Sequence, residues 1–380
     1  MTGPATLLPT TVIGSHGLPG WVWLAREAMQ AGRLGATDVR ELLEDATQVA
    51  LLDQERAGLD VLTTGEMGRV RFIIGFYERL QGIRTMEEPR KLGQPHWDTN
   101  TPFQVVARLA APAGLGIVDE FKLARSLTAR PLKATVPGPY TLMFPLRLGG
   151  GYRDRDTLLA DLVAIVNEEC RALVAAGADF IQIDEPHSGM FAGASPDFVK
   201  GVNRAVQGVA AKIAVHICFG NLYGRPFQPV RSYRNVYPAL HELTASQIVL
   251  EYANRGMDDL PLWKEFPTDK ELGAGVIDVK AFKPETAEEV AERIRALLRY
   301  VAPDKLWLNP DCGFWETPRW ATRLKLAALV EGARLARATL EGVRWASSVS
   351  WAVIARSTTA ATAPSQAARA VLIAPGDTAA

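Results

Sequence analysis

Short runs of β-branched and other apolar residues recur along the chain, separated by longer stretches in which apolar positions return with a helical period. The short runs are continuously apolar rather than alternating, as expected of parallel strands buried on both faces. They predict strands at Thr11–Ser15, Leu59–Gly65, Leu132–Val136, Phe180–Asp184, Ala214–Cys218, Ile248–Tyr252, Gly275–Val279 and Leu306–Asn309. Between them, Val39–Ala57, Leu158–Ala175, Asp197–Ala211, Ala287–Tyr300 and Arg319–Leu340 read as amphipathic helices long enough to return the chain to the start of the next strand. Right-handed crossovers of this kind close an α/β chain into a single-domain (β/α)8 TIM barrel. A doubly wound open sheet is the competing architecture, but no Gly-rich dinucleotide turn follows any of the runs.

Two segments depart from the rhythm. Residues Gly82 to Gly114 carry Pro89, Gly93, Pro95 and Pro102 and read as a long irregular excursion, part of a lid, rather than a regular element. Past Trp345 the pattern degrades, so the barrel is expected over residues 1–345 and a C-terminal tail over 346–380, with the Ala/Ser/Thr-rich part from Thr358 onward disordered.

At 380 residues the chain has the size of one barrel with insertions, and 42 Lys+Arg against 42 Asp+Glu give a formal net charge of zero. Neither a nucleic-acid footprint nor a basic membrane-binding face is implied. The N-terminus shows no basic region followed by an apolar one, and no run is apolar for long enough to span a bilayer, so a cytoplasmic protein is expected. Three cysteines in a chain this long do not make a disulfide framework, so each thiol needs its own explanation.

Chemistry in a barrel sits at the C-terminal ends of the strands. Those ends read Ser15-His16, Gly65-Glu66, Pro137-Gly138-Pro139, Asp184-Glu185-Pro186-His187, His216-Ile217-Cys218, Glu251, Asp278-Val279-Lys280 and Asp311-Cys312. His216 and Cys218, two apart on a strand, point to the same face. With Glu251 and Cys312 converging from other strand ends, one nitrogen, two sulfurs and one oxygen make a tetrahedral donor set suited to Zn²⁺. A His-x-Cys pair alone is more often buried packing, and it is the added strand-end Cys and Glu that favour a metal. Glu251, the hardest of the four donors, is the one expected to give way when a substrate sulfur enters.

Glu66 and Asp184 end two further strands and are expected to hold a substrate ammonium group, although carboxylates there also commonly cap loops or pair with arginines such as Arg69, Arg71 or Arg147. For Glu185 the structural role is expected. His16 and His187 flank these motifs and are expected to line the pocket, Cys170 to be a buried helix residue, and His241 to lie in a helical stretch. Trp21, Trp23, Trp315 and Trp320 are assigned to packing at the mouth.

Taken in order, Thr10-Thr11-Val12-Ile13-Gly14-Ser15, Gly65-Glu66, Ile181-Gln182-Ile183-Asp184-Glu185-Pro186, His216-Ile217-Cys218 and Asn309-Pro310-Asp311-Cys312-Gly313 resemble the C-terminal catalytic half of cobalamin-independent methionine synthase, nearly to Leu340. The resemblance implies a (β/α)8 barrel that binds zinc through His216, Cys218, Glu251 and Cys312, and homocysteine through Ile13, Gly14, Ser15, Glu66 and Asp184. Three departures stand out. The chain has room for one barrel where full-length members have two. The segment Gly138-Pro139-Tyr140-Thr141-Leu142-Met143-Phe144-Pro145 lacks the family's pterin-stacking tryptophan, and Asp278-Val279-Lys280 stands where the family has Asp-Ile-His, which leaves folate without support as methyl donor.

Single-barrel relatives include short methionine synthases that take methyl from a corrinoid or other donor, a donor protein among them, and the zinc-dependent epoxyalkane:coenzyme M transferase. Glu66 and Asp184 favour an amino-acid thiol, whereas Arg69, Arg71 and Lys280 would suit the sulfonate of coenzyme M. Lys280 is either a general acid for the leaving group or a new alkoxide, or a solvated loop lysine. The expected function is zinc-dependent methyl or alkyl transfer to a small thiol, homocysteine first. A non-catalytic zinc carrier and a decarboxylase of the porphyrinogen type on a related barrel are the alternatives from other classes.

Overall fold

The computed structural model describes residues 6–69, 74–86, 103–190, 197–221, 231–265, 269–315 and 317–358. Seven strands form one parallel sheet: β1 (Leu62–Thr63), β2 (Leu132–Pro137), β3 (Phe180–Asp184), β4 (Lys212–Ile217), β5 (Gln247–Leu250), β6 (Glu271–Ile277) and β7 (Leu306–Pro310). Each lies beside its sequence neighbour, as repeated strand-helix crossovers require. Most residues of β2 to β7 are buried on both faces, which is why their sequences are apolar without alternation. The interior includes Ile13, Val61, Phe180, Ala214, Val249 and Trp307, drawn from opposite ends of the chain.

The sheet curls, and the segment Pro9–His16 hydrogen-bonds to both its edges. Thr11 N donates to Leu308 O at 2.9 Å and Leu308 N to Pro9 O at 2.8 Å, while Val61 N donates to Thr10 O at 3.1 Å and His16 N to Gly65 O at 3.0 Å. The expected strand at Thr11–Ser15 is thus present only as isolated parallel bridges, Thr10 to Leu308 and Ser15 to Gly65. The regular part of the expected Leu59–Gly65 strand shrinks to β1, because Gly65 and Glu66 both turn to positive φ. The other strands fall where the sequence places them to within a few residues.

The excursion is more regular than expected. Gln81–Thr85 pairs antiparallel with Phe103–Ala110, which in turn pairs parallel with Leu146–Arg147 in a second, three-stranded sheet. Phe103, Val105 and Leu109 are buried there. The prolines and glycine that suggested a loop all fall within 87–102, outside the described residues, and the strands flank them. The last helix runs Arg319–Thr358, well beyond the expected Leu340. The chain divides into two compact units, Met1–Arg337 and Ala338–Ala380. Residues 359–380 of the expected tail lie outside the described residues.

Glu185 fixes the turn after β2. Its carboxylate accepts from Tyr140 N at 3.0 Å, Thr141 N at 2.9 Å and Thr141 Oγ1 at 2.7 Å, at the start of the short helix Pro139–Met143. A Cβ on Gly138 would lie 2.2 Å from Glu185 Oε1, so only glycine admits this approach. Burial pushes the Glu185 carboxyl up to about 8, while the three donors pull it down. Glu185 is thus structural, as its sequence context suggested. Glu185→Ala strips these buried donors of their acceptor and is expected to cost about 3 kcal/mol of stability, read as a lower urea midpoint at unchanged slope.

Candidate active site

His216 and Cys218 leave the end of β4, and Cys312 follows β7. Their ligand atoms all lie within 4.8 Å of one another. Cys218 Sγ and Cys312 Sγ are 3.4 Å apart. The contact with Cys218 draws the Cys312 thiol down to about 7, with His216 and Lys280 assisting against burial, while Cys218 itself is raised. On the other side of His216, Nδ1 lies 2.9 Å from Asp184 Oδ1. Burial opposes protonation of His216, but this carboxylate outweighs it and raises the imidazole's pKa. With Nδ1 facing a carboxylate, Nε2 is the nitrogen left for a ligand, and it is buried without a hydrogen-bond partner among the described residues.

Asp184 stands opposite His216 in the β3–β4 register. Its Oδ1 also accepts from Gln182 Nε2 at 2.8 Å, and that amide donates to Ile13 O at 2.9 Å. Gln182 Oε1 in turn accepts from Lys133 Nζ at 2.6 Å, so a hydrogen-bonded chain runs from the interior of β2 to the cysteines' imidazole neighbour.

Glu66, at φ 56°, sits in the left-handed region, which a bulky residue rarely adopts and which often marks a functional position. It is buried; Oε1 accepts from Arg69 Nη1 at 2.9 Å and Thr135 Oγ1 at 2.7 Å. Burial raises the Glu66 carboxyl against the pull of Arg69, and the nearby Asp184 charge adds to the rise. Arg69 also grips Glu120, through Nε to Oε2 at 2.9 Å, and Thr135 O at 2.8 Å.

Gly14 is required here: a Cβ on it would lie 2.2 Å from Glu66 Oε1. Ser15 Oγ accepts from Trp315 N at 3.1 Å and Ser15 O from Phe314 N at 3.0 Å, which ties the N-terminal segment to the Cys312 loop. Ile13 contributes its carbonyl to Gln182 while its side chain packs in the core.

Glu251 ends β5 but is not one of the three clustered groups. Its Oε2 accepts from Lys280 Nζ at 2.9 Å and Phe219 N at 3.3 Å, and its Oε1 from Arg231 Nη1 at 3.1 Å. The Lys280 side chain is only 2% exposed, which overturns its reading as a solvated loop lysine. Burial pulls its pKa down, but the negative charges of Glu251, Cys312 and Asp311 prevail and raise it.

Of the other residues singled out in the sequence, some are placed as expected and some are not. His16 pairs with Asp53: its Nε2 lies 3.1 Å from that carboxylate, which also binds Arg319 at 2.6 Å, so it ties the N-terminal segment to two helices. His187 is buried, its ring 5.0 Å from that of Phe144, and burial lowers its pKa to about 3. Cys170 is buried in the helix Arg155–Ala175, its thiol pushed up to about 12 by burial. Arg147 is exposed and bonds to Met86 Sδ at 3.9 Å. Arg71 lies outside the described residues.

Sequence reasoning passed over Arg231, which sits in an irregular segment, and Asn254, in the single-turn 3-10 helix Ala253–Arg255, both too short for a periodic signal. It also passed over Lys133, although a lysine at the second position of a continuously apolar strand was a visible anomaly.

Residues 8–335 match the family described as the catalytic domain of cobalamin-independent synthase. Methionine synthases of Saccharolobus solfataricus and Sulfurisphaera tokodaii are 37% and 34% identical over 336 residues, covering 88% of this chain and 96% and 94% of theirs. A B12-independent methionine synthase from Shewanella sp. W3-18-1, solved in complex with selenomethionine, superposes with a TM-score of 0.78 at 31% identity, covering 89% of this chain and 100% of that one. A methyltransferase from Methanosarcina mazei, at 17% identity and a TM-score of 0.53, shares the fold. Fold and site together define an α/β enzyme of the methyltransferase class. The chain belongs to the cobalamin-independent methionine synthase family, as a member with one catalytic domain's length of sequence. Among the described residues, no helix is long and apolar enough to cross a membrane.

Lys133 makes a direct test of the interior electrostatics. Burial lowers its pKa to about 7 against an opposing pull from Asp184, so the folded chain gives up this proton well before the unfolded chain does. Stability contributed by this group therefore rises as pH increases from about 7 towards about 10, where the unfolded lysine also loses its charge. Lys133→Met is expected to stabilise the protein at pH 6 relative to wild type, by an advantage that shrinks by on the order of 3 kcal/mol by pH 10, measured by urea denaturation at the two pH values.

Proposed function

We propose that this chain transfers a methyl group to the sulfur of homocysteine, yielding methionine, at a zinc centre built on His216, Cys218 and Cys312 with Glu251 as the neighbouring oxygen donor. The observation that carries the reading is the convergence of these three groups beside Asp184 and Glu66. The donor chemistry fits the ion: a buried Nε2 without a hydrogen-bond partner and two sulfurs 3.4 Å apart suit Zn²⁺ better than a hard cation. When bound, zinc supplies Lewis acidity that lowers the pKa of a substrate thiol, so that sulfur attacks the methyl group as a thiolate near neutral pH.

The protein's own groups do the rest. Asp184 orients the His216 imidazole through Nδ1 and, with Glu66, offers negative charge to a substrate ammonium group. Gly14 keeps the backbone low enough for Glu66 to stand beside it, and Ser15 braces the Cys312 loop. Lys280 keeps its proton against Glu251 and acts by its charge rather than as an acid. The relative from Shewanella was solved with selenomethionine, a close analogue of the proposed product, which supports an amino-acid pocket.

The coenzyme M reading is not better supported: of the cations suited to a sulfonate, Arg69 and Lys280 are each paired with carboxylates, and Arg71 lies outside the described residues. Membership in a cobalamin-independent family lends no support to a corrinoid donor. We further assign Pro9–His16 as the first strand of a closed (β/α)8 barrel over residues 1–345, with 346–380 an appended tail, in a cytoplasmic enzyme.

Purified protein is expected to hold about one zinc per chain, and Cys218→Ser or Cys312→Ser to lose both metal and methyl transfer. Fully active protein without metal would contradict the reading. Asp184→Ala is expected to raise KM for homocysteine by roughly 10- to 100-fold, the loss of one charged hydrogen bond, checked by steady-state kinetics with the metal content confirmed.

A further inference from the structure

One face of the large sheet carries a column of polar side chains. Residues two apart on a strand share a face, so Lys133 and Thr135 of β2 lie with Gln182 and Asp184 of β3, and Asp184 lies with His216 of β4. Gln182, fully buried, is engaged at both ends of its amide. Its Oε1 accepts from Lys133 Nζ at 2.6 Å, and its Nε2 donates to Asp184 Oδ1 at 2.8 Å and to Ile13 O at 2.9 Å. Turning the amide over would set its oxygen against a carboxylate and a carbonyl and its N–H groups against an amine, so one orientation is enforced.

Lys133 occupies a costly place. It is 1% exposed, and among the described residues its close neighbours are the Gln182 amide and the Phe180 ring, 5.6 Å from the amine, rather than a carboxylate at hydrogen-bond distance. Burying an amine without a counter-ion is unfavourable. What the amine does there is hold Oε1, and a donor at that end polarises the amide and strengthens the N–H groups at the other. Those groups reach both sides of the amino-acid pocket: the Asp184 carboxylate, and the carbonyl that opens Ile13-Gly14-Ser15. Asp184 Oδ1 accepts from Gln182 and faces His216 as well, which pins the plane of the carboxylate and leaves Oδ2 to the substrate.

We propose that Gln182, fixed by Lys133, joins the two sides of the amino-acid pocket and so sets the preference for homocysteine over a bare alkyl thiol. This rests on the homocysteine reading above and adds to it which residues shape the amino-acid side. Both are positioning residues: Lys133 acts through Gln182, and Gln182 acts through Asp184 and Ile13.

The test is a titration of Co²⁺-substituted protein with homocysteine and with 1-propanethiol, which keeps the sulfur but has neither amine nor carboxylate. The change in the cobalt visible spectrum reports binding without any methyl donor. Gln182→Met is expected to raise the homocysteine concentration needed about tenfold, the loss of one hydrogen bond to a charged group. Lys133→Met is expected to raise it about fivefold, a coupling of ordinary size for contacting residues, although it stabilises the fold at pH 6. The double variant should be no weaker than Gln182→Met alone, and the propanethiol titration should be the same in all four proteins.

The opposite sign is decisive. A lysine that acts only by its field repels the substrate ammonium, so tighter homocysteine binding in Lys133→Met overturns the proposal, as does unchanged binding. A double variant weaker than Gln182→Met overturns the action of Lys133 through Gln182. Equal weakening of propanethiol and homocysteine overturns it too, since the damage then lies at the ion. Wild-type cobalt protein that responds to propanethiol no less readily than to homocysteine would instead remove the homocysteine reading itself, before any variant is made. Gln182→Leu repeats the test if Gln182→Met does not fold.

Discussion

The site depends on one hydrogen bond set by strand register. Parallel pairing places Asp184 opposite His216, and the 2.9 Å contact from Asp184 Oδ1 to His216 Nδ1 turns the imidazole so that Nε2 points away from the acid. Every other feature builds outward from that pair. Cys218 lies on the same face of the strand as His216, two residues on. Cys312 arrives from the last strand because Pro9–His16 joins the last strand to the first, and Ser15 ties down its loop. A slip of one residue between β3 and β4 would send Asp184 to the opposite face and leave the histidine without its orienting partner.

The second organising constraint is charge held away from water. Glu66, Glu120 and Arg69 form one compensated cluster, and Glu251, Lys280 and Arg231 another. Lys133 belongs to neither, since among the described residues its polar partner at hydrogen-bond distance is the neutral Gln182 amide. Buried ions of this kind are poor contributors to stability, and they persist where they orient something else. Glu185, by contrast, serves the local backbone, and its raised pKa reflects burial more than chemistry.

Much of this was legible in the chain. Continuous apolar runs marked β2 to β7 because burial on both faces leaves no polar alternation, and the strand-end rule then picked out His216, Cys218, Cys312, Asp184 and Glu66 as groups sharing one pole. What escaped depends on contacts that no local pattern encodes. The strand pair flanking 87–102 was hidden by prolines and glycine between its strands, and the first strand is held by bridges rather than by a regular ladder. Glu251 meets the cations Arg231 and Lys280, whose arrival beside it only the folded chain reveals. His16 shows the same limit: its neighbours in sequence suggested the pocket, but its side chain turns to Asp53.

The claim on which this account stands is that His216, Cys218 and Cys312 hold one ion that accepts the substrate's sulfur. X-ray absorption at the zinc edge of the purified protein, recorded before and after homocysteine is added, tests it most directly. The account predicts two sulfur scatterers with nitrogen or oxygen neighbours in the resting protein and a third sulfur once the thiol is present. A first shell without sulfur, or one that homocysteine leaves unchanged, would contradict it.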